Sequence, residues 1–265
     1  MVPFRRPDRD APVTRAAFTA DSLWVRRSTR PSPAVRLVCV PYGGGGASVY
    51  RSLADRLPDS IEVLALQPPG REDRSREDPP ERLRGLVRAA AIALRPFCTA
   101  DYVLYGHCAG ALLAYEVALE MGGRFGLWPR RLIAAAQPAP HLPPPGPPLH
   151  ELPDDRLLDV VRQRGGLPDA VLANAELLSF LLPVIRSDFT LWERYEHRHR
   201  RRALPCPVTT LRGRDDEVVR PELCEPWREH TTGGWDHHEV DGDHYFINRL
   251  ADSTARVLAR ATLGE

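Results

Sequence analysis

The sequence contains no lysine: all 36 basic side chains other than histidine are arginine, and 35 acidic side chains nearly balance them. The formal net charge of +1 gives no support to a nucleic-acid-binding protein held by bulk electrostatic attraction. Any docking driven by charge must therefore be local. The chain has 265 residues, of which 43% are hydrophobic, and this is enough to bury the core of one main domain.

Paired cysteines are also missing. The cysteines are odd in number and widely spaced, and none of them forms a C-x-x-C pair, which argues against a disulfide framework and against a zinc site. They are Cys39, Cys98, Cys108, Cys206 and Cys224. This usage fits a protein of the reducing cytoplasm.

Long apolar runs are absent, so no segment is expected to span a membrane. The first 30 residues mix Arg, Asp and Pro and lack the apolar stretch of a secretory signal. Their low hydrophobicity predicts a mobile N-terminal extension over residues 1–20, followed by one domain over residues 21–265.

The sequence does contain a regular alternation of short apolar runs and helical patterns, which is typical of parallel strands covered by helices. The predicted strands are Ala34 to Val40, Ile61 to Leu66, Tyr102 to Tyr105, Leu132 to Ala136, Val208 to Leu211 and His238 to Val240. The predicted helices are Val49 to Leu57, Pro80 to Leu94, Ala109 to Met121, Glu222 to His230 and Tyr245 to Ala261. This order predicts an α/β fold with a mostly parallel, doubly wound sheet and an active site beyond the carboxyl ends of its strands.

The alternation stops between about residues 138 and 204. A proline-rich stretch, Pro138 to Pro148, leads into two helical patterns at Pro153 to Arg164 and Asn174 to Tyr195, and no strand pattern separates them. We interpret this segment as a helical lid inserted over the site. Ordinary crossover helices are the alternative.

The most informative motif is Gly106-His107-Cys108-Ala109-Gly110, which lies between a predicted strand and a predicted helix. It has the form G-x-nucleophile-x-G, in which small residues let the strand and the helix approach closely at a strained turn. Cys108 is therefore the predicted nucleophile, and its place at a helix N-terminus favours the thiolate. A buried structural cysteine is the alternative, and it is the interpretation we give to the other four.

An acid and a histidine follow later strands in the chain order that this fold requires. Asp215 and Asp216 come just after one predicted strand, and the residues alone leave both open. His244 lies in a glycine-containing turn after the last strand and is the predicted general base, oriented by the acid. His237 and His238 are expected in a solvated turn.

A run of four glycines, Gly43 to Gly46, follows the first predicted strand. It lacks the Lys-Ser/Thr ending of a phosphate-binding loop and the spacing of a dinucleotide fingerprint. We expect it to form an oxyanion hole instead, in which the backbone N–H groups of Gly43 and Ala109 stabilise a tetrahedral intermediate.

From about Val35 to its C-terminus the chain resembles the type II thioesterases that accompany non-ribosomal peptide and polyketide synthases, enzymes of the α/β-hydrolase fold. The resemblance rests on the Cys108 motif and on Pro41 to Ala47, Pro69 to Glu72, His150 to Asp155, Leu182 to Phe189, Gly213 to Asp216 and Gly242 to Phe246. In that family the acid is the last residue of a G-x-x-D pattern, which selects Asp216 here. Most members carry serine where this chain has Cys108, and alanine at the position of Gly43. An engineered replacement of serine would give the same sequence.

The resemblance implies an enzyme that hydrolyses acyl or aminoacyl thioesters held on the phosphopantetheine arm of carrier proteins. No permanently bound cofactor is implied, because phosphopantetheine belongs to the substrate. A smaller group of relatives with cysteine at this position resembles shuttles, so transfer of the group between carrier proteins is the alternative. A non-catalytic module that binds carrier proteins is a second alternative.

An arginine-rich stretch, Arg194 to Arg202, lies at the end of the second predicted helix of the lid and just after it. Its Arg198, Arg200 and Arg201 could contact an acidic carrier protein. A solvated charged loop is the simpler interpretation, because charge runs usually face water.

Overall fold

The computed structural model describes residues 18–167, 169–197 and 203–265. In this part of the chain eight strands form one sheet, with the order β1-β2-β4-β3-β5-β6-β7-β8. The strands are β1 (Phe18–Ala20), β2 (Val25–Ser28), β3 (Val35–Val40), β4 (Ile61–Leu66), β5 (Tyr102–His107), β6 (Arg131–Ala135), β7 (Val208–Gly213) and β8 (Trp235–Val240). Strands β3 to β8 pair in parallel, whereas β2 is antiparallel to β4 and β1 is antiparallel to β2. The predicted α/β class with a mostly parallel sheet is confirmed.

The α-helices of the same part of the chain lie between or after these strands. They are α1 (Arg51–Arg56), α2 (Leu83–Leu94), α3 (Ala109–Phe125), α4 (Asp154–Gln163), α5 (Asp169–Leu172), α6 (Ala175–Glu193) and α7 (Asp252–Leu263). Among them, none combines the length and the apolar character that a bilayer span requires.

The sheet is buried on both faces, because successive side chains of a strand point in opposite directions. In β3, Val38 packs into a core shared with helices α2 and α3. Its neighbours Leu37 and Cys39 pack into a second core, shared with helices α1 and α7. Strands covered on both sides read as nearly continuous apolar runs, which is why β3 and β4 were predictable within one residue.

Two antiparallel strands were not predicted. The sequence of β2, Val-Arg-Arg-Ser, is too polar to be read as a strand, yet it is largely buried because its arginines are paired. Arg26 pairs with Asp73, and Arg27 binds the buried carboxylate of Glu62 at 2.9 Å. Residues 18–20 belong to β1 rather than to the predicted extension, and residues 1–17 lie outside the described residues.

Two predicted helices differ in the structure. The segment predicted as a helix from Glu222 forms two short 3₁₀ helices, 221–223 and 225–230. The last predicted helix begins only at Asp252, because the apolar residues before it form a turn that packs into the core. In that turn Tyr245, Phe246 and Ile247 are each at most 2% exposed. These apolar residues extended the helical pattern of the sequence toward the N-terminus, although they are not helical.

The segment predicted as a lid lies between β6 and β7 and contains α4, α5 and α6. Its helices share a small apolar core of their own, which includes Leu157, Ile185 and Phe189. Leu149, Phe189 and Trp192 line a pocket together with Cys108, so this segment covers the carboxyl end of β5.

Candidate active site

Cys108 lies at the turn between β5 and α3. Its backbone has a positive φ of +50° with ψ −128°, a combination that is rare for a residue other than glycine and marks local strain. The N–H of Cys108 donates to the carbonyl of Ala135 at 2.8 Å, and its carbonyl accepts from the N–H of Ala111 at 2.8 Å. These bonds hold the side chain of Cys108 above the carboxyl end of the sheet.

The flanking glycines are required by close backbone contacts. A Cβ atom on Gly106 would lie 2.2 Å from the carbonyl oxygen of Gly110. A Cβ atom on Gly110 would lie 2.4 Å from the carbonyl oxygens of both Val40 and Pro41. Only glycine fits at either position, so the spacing of the motif follows from the packing of β5, α3 and the end of β3.

The structure brings His244 and Asp216 together behind Cys108. His244 Nδ1 lies 3.0 Å from Oδ2 and 3.1 Å from Oδ1 of Asp216, and both residues are buried. Cys108 and His244 line the same pocket, and the thiol and the imidazole are close enough that each shifts the pKa of the other. The backbone N–H groups of Val218 and Val219 donate to Asp216 Oδ1 at 2.8 and 2.9 Å and fix the carboxylate.

The neighbouring acid and histidines take no part in this arrangement. Asp215 is exposed to solvent, although it directly precedes Asp216. His238 is exposed, and His237 lies against Thr210 Oγ1 at 2.9 Å, within strand β8 rather than in a turn.

The electrostatics favour a thiolate paired with an imidazolium. Burial raises the pKa of the Cys108 thiol, but the His244 imidazole, the Ala109 N–H and the Arg164 guanidinium outweigh burial and bring the pKa below its ordinary value. Burial lowers the pKa of His244, but the Cys108 thiolate and the Asp216 carboxylate outweigh burial and raise it. The lowered pKa of Cys108 and the raised pKa of His244 both correspond to a proton that lies on the imidazole rather than on the thiol.

The other four cysteines are different. Each is free and buried, and burial raises the pKa of its thiol, to about 12 for Cys98 and Cys224 and to about 11 for Cys206. Burial also raises the pKa of Cys39. Thiols held in their neutral form in apolar surroundings are poor nucleophiles.

The glycine run lies beside the nucleophile. A Cβ atom on Gly43 would lie 3.9 Å from the Cβ of Ala109, so the two backbones predicted to form an oxyanion hole are neighbours. The loop is fixed by a residue of the lid, because Asp188 on α6 accepts from the N–H of Gly44 at 2.7 Å.

A buried ion pair holds Asp188 in place. Arg71 binds both carboxylate oxygens of Asp188, at 2.6 and 3.0 Å, and also donates to the carbonyl of Gly45 at 3.1 Å. Both side chains are nearly inaccessible to solvent. In the sequence, Arg71 and Asp188 lie in motifs that resemble the type II thioesterases, but neither was given a role, since the two residues are 117 positions apart.

His107 is a further residue that sequence reasoning passed over, although it precedes the nucleophile directly. Burial lowers the pKa of His107 to about 3, so its ring is neutral. Nε2–H therefore donates to the backbone carbonyl of His244 at 2.8 Å, and Nδ1 accepts from the hydroxyl of Tyr105 at 3.0 Å. His107 thus ties the turn that carries His244 to the strand that ends next to Cys108.

The pocket beside Cys108 has mostly apolar walls. They are formed by the proline-rich stretch, by the lid and by α3, and include Leu112, Leu142, Leu149, Phe189, Trp192 and Val219. In the described residues no group of three or more His, Cys, Asp or Glu side chains is suited to a metal ion. The arrangement suits attack by a thiolate on an acyl carbonyl in a site partly shielded from water.

Comparison with known proteins gives the family. A family model described as a thioesterase domain matches residues 35–262. The chain belongs to the thioesterase family. The resemblance to type II thioesterases of non-ribosomal peptide and polyketide synthesis is also confirmed.

Three relatives illustrate the similarity of this thioesterase to known proteins. Linear gramicidin dehydrogenase LgrE from Brevibacillus parabrevis is 36% identical over 217 residues, which cover 81% of this chain and 82% of that protein. Thioesterase PikA5 from Streptomyces venezuelae is 36% identical over 240 residues, which cover 89% and 84%. The solved structure of RedJ, a thioesterase from the prodiginine biosynthetic pathway in Streptomyces coelicolor, has a TM-score of 0.78 at 41% identity and covers 86% of this chain and 85% of that chain.

The name of LgrE denotes a dehydrogenase, whereas the other two names denote thioesterases. The glycine run of this thioesterase lacks the spacing of a dinucleotide fingerprint, and its Gly43 packs beside the nucleophile. The predicted docking residues Arg198, Arg200 and Arg201 lie outside the described residues, so their role stays a prediction.

Proposed function

We propose that this thioesterase hydrolyses acyl thioesters carried on the phosphopantetheine arm of carrier proteins, in the cytoplasm, through a covalent intermediate on Cys108. The main observation in support is that Cys108 and His244 line one pocket at the carboxyl end of a parallel sheet, with the Asp216 carboxylate 3.0 Å from the His244 ring. The family and the prodiginine pathway named for RedJ support substrates of this class.

In the first half of the reaction the Cys108 thiolate attacks the acyl carbonyl carbon. The N–H groups of Gly43 and Ala109 stabilise the resulting oxyanion. The tetrahedral intermediate collapses with cleavage of the bond between carbon and the arm sulfur, and the His244 imidazolium gives its proton to the departing thiolate. The products are acyl-Cys108 and the free thiol of the arm, and no cofactor is needed.

In the second half the now neutral His244 takes a proton from water, and the oxygen of that water attacks the acyl-Cys108 carbon. Collapse releases the free acid and regenerates the thiolate beside the imidazolium. Asp216 orients the ring in both halves and stabilises its charged form.

Transfer to a second carrier is the alternative, and the cysteine favours it. Attack by a thiolate on a thioester gives another thioester of similar free energy, so a second carrier thiol can collect the group. Hydrolysis is the function that the family supports, and we rank transfer second.

Intact mass spectrometry of the enzyme mixed with one loaded and one empty carrier protein tests the choice. Hydrolysis predicts a short-lived acyl-Cys108 adduct and free acid, whether or not the empty carrier is present. An adduct that persists in water and discharges only onto the empty carrier would establish transfer instead. Cys108→Ser forms an ester that lies below the thioester in free energy, so this variant should lose transfer more than hydrolysis.

A non-catalytic module that only binds carriers would not need an activated thiol. Thiolate fraction controls alkylation, so iodoacetamide should modify Cys108 at neutral pH while the other four cysteines stay unmodified. Because the pKa of Cys108 is lowered, its thiolate is present at pH values below the ordinary thiol pKa. The rate of alkylation should therefore fall as the solution is acidified. His244→Ala removes the imidazolium and should slow alkylation at neutral pH by about tenfold or more. Alkylation of all five cysteines at similar rates would support the module.

A further inference from the structure

A cation lines the active-site pocket without a carboxylate partner among the described residues. Arg164 follows the last residue of α4, and it shares the pocket wall with Cys108 and His244. It is partly buried, and in the described part of the chain no carboxylate lies within ion-pair distance of its guanidinium. Arg162, two residues earlier, is exposed and pairs with Asp159 at 3.2 Å.

The backbone after Arg164 is fastened to the catalytic loops. The carbonyl of Gly165 accepts from Asn248 Nδ2 at 3.0 Å, and Asn248 Oδ1 in turn accepts from the hydroxyl of Tyr42 at 2.8 Å. A Cβ atom on Gly166 would lie 3.0 Å from the ring of Tyr245, the residue after the general base. Arg164 is therefore held at the site by the same loops that carry the oxyanion hole and His244.

A second donor in the pocket also lacks an acceptor. Nε1 of Trp192 is buried, and the described residues and atoms give it no hydrogen-bond partner. Its neighbour in the ring, Cδ1, lies 3.9 Å from the position that a Cβ would take on Gly43. The indole is therefore close to the oxyanion loop.

The carboxylate of Glu193, which also lines the pocket, is already occupied by other donors. It accepts from the N–H of Leu149 at 2.7 Å, from the N–H of His150 at 2.9 Å and from His150 Nδ1 at 2.5 Å. The pocket thus offers a cation and an N–H donor without acceptors. A guanidinium partly removed from water is stabilised by a bound anion.

We propose that Arg164 binds a carboxylate carried by the acyl group, so that the enzyme selects dicarboxylic acyl thioesters over uncharged and aminoacyl ones. The proposal rests on the function proposed above. The phosphate of the carrier arm is at the far end of that arm from the thioester, whereas Arg164 lines the pocket at the nucleophile, so a carboxylate of the acyl group is the anion within reach. The ammonium of an aminoacyl group would be repelled by the same guanidinium.

Small thioesters of N-acetylcysteamine test the proposal, since they carry no phosphate. The succinyl and pentanoyl thioesters have similar lengths and differ in the terminal carboxylate. We expect wild type to favour the succinyl thioester in kcat/KM, and Arg164→Met to reduce the succinyl-to-pentanoyl ratio by about tenfold or more. Arg164→Lys should retain part of the preference, and Arg162→Met, which removes a charge from the exposed face of the same helix, should leave the ratio unchanged.

Three results would overturn the proposal. A wild type that favours the pentanoyl thioester would show that the pocket does not select a carboxylate. Equal losses for both thioesters in Arg164→Met, together with slower alkylation of Cys108, would mean that Arg164 acts through the thiolate. An Arg164-dependent gain from phosphopantetheine over pantetheine thioesters of one acyl group would assign the guanidinium to the arm phosphate. Hydrolysis of pentanoyl thioester without a succinyl preference refutes this inference alone, whereas no hydrolysis of any thioester refutes the proposed function.

Discussion

The sheet side and the lid side of the pocket are built differently. On the sheet side, backbone groups fix two of the reacting residues: Cys108 bonds to Ala135 and Ala111, and Asp216 accepts from two N–H donors. On the lid side the walls are side chains on helices and on a proline-rich stretch, with a small core of their own. Within the described part of the chain, the lid side also holds Arg164, which has no carboxylate partner, and Trp192 Nε1, which has no hydrogen-bond partner. The difference suggests that the sheet determines the reaction and the lid determines which acyl group undergoes it.

The largest effect is expected from the sheet side. His244→Ala should lower kcat by about 10³-fold or more, because both halves of the reaction need its proton. Asp216→Asn should also be severe, whereas Asp215→Asn should be mild, since Asp215 is exposed. Rates of hydrolysis under saturating thioester measure both. Reversed effects of the two acids would assign the role to Asp215. They would also contradict the view that the buried groups of the sheet side carry out the reaction.

The close backbone contacts of the elbow predict the next effect. Gly110→Ala places a Cβ against the carbonyls of Val40 and Pro41 and should lower the free energy of unfolding by about 3 kcal/mol or more. Gly85 offers a matched control, because it lies inside α2 with open space around its Cβ position. Gly85→Ala should raise stability by up to about 1 kcal/mol. Chemical denaturation measures both, and a tolerated Gly110→Ala would contradict the packing argument.

The link between the two sides predicts a smaller effect. Asp188→Asn weakens the pair with Arg71 and leaves a buried guanidinium partly uncompensated, at a cost of up to about 3 kcal/mol. We expect lower kcat and faster hydrogen exchange in α6 than in α3, since the pair joins α6 to the oxyanion loop. Glu120→Gln, which removes a surface pair with Arg124, should change stability by less than about 0.5 kcal/mol. Unchanged exchange in α6 would show that the pair does not anchor the lid.

The same division explains what the sequence could predict. Strands β3 and β4 and the Cys108 elbow were predictable because buried parallel strands and close backbone contacts impose local patterns. The choice of Asp216 over Asp215 came from the family pattern, since both acids follow the same strand. Contacts of the lid carry no such pattern.

Three features were missed for physical reasons. Strand β2 is polar in sequence and is buried only because distant acids neutralise its arginines. The Arg71–Asp188 pair joins residues far apart in the chain, and Arg164 resembles any arginine at a helix end until the pocket is seen. The hydrophobic periodicity of a sequence predicts which residues of one helix or strand are buried, and it carries no information on charge pairs between distant segments.

The ion pair between Arg71 and Asp188 also has a consequence for the oxyanion loop. Because Asp188 bonds the N–H of Gly44, a lid that swings outward takes away the support of the oxyanion loop. The oxyanion loop therefore has this support only while α6 stays packed against it, so the position of a lid helix bears on how the site stabilises negative charge.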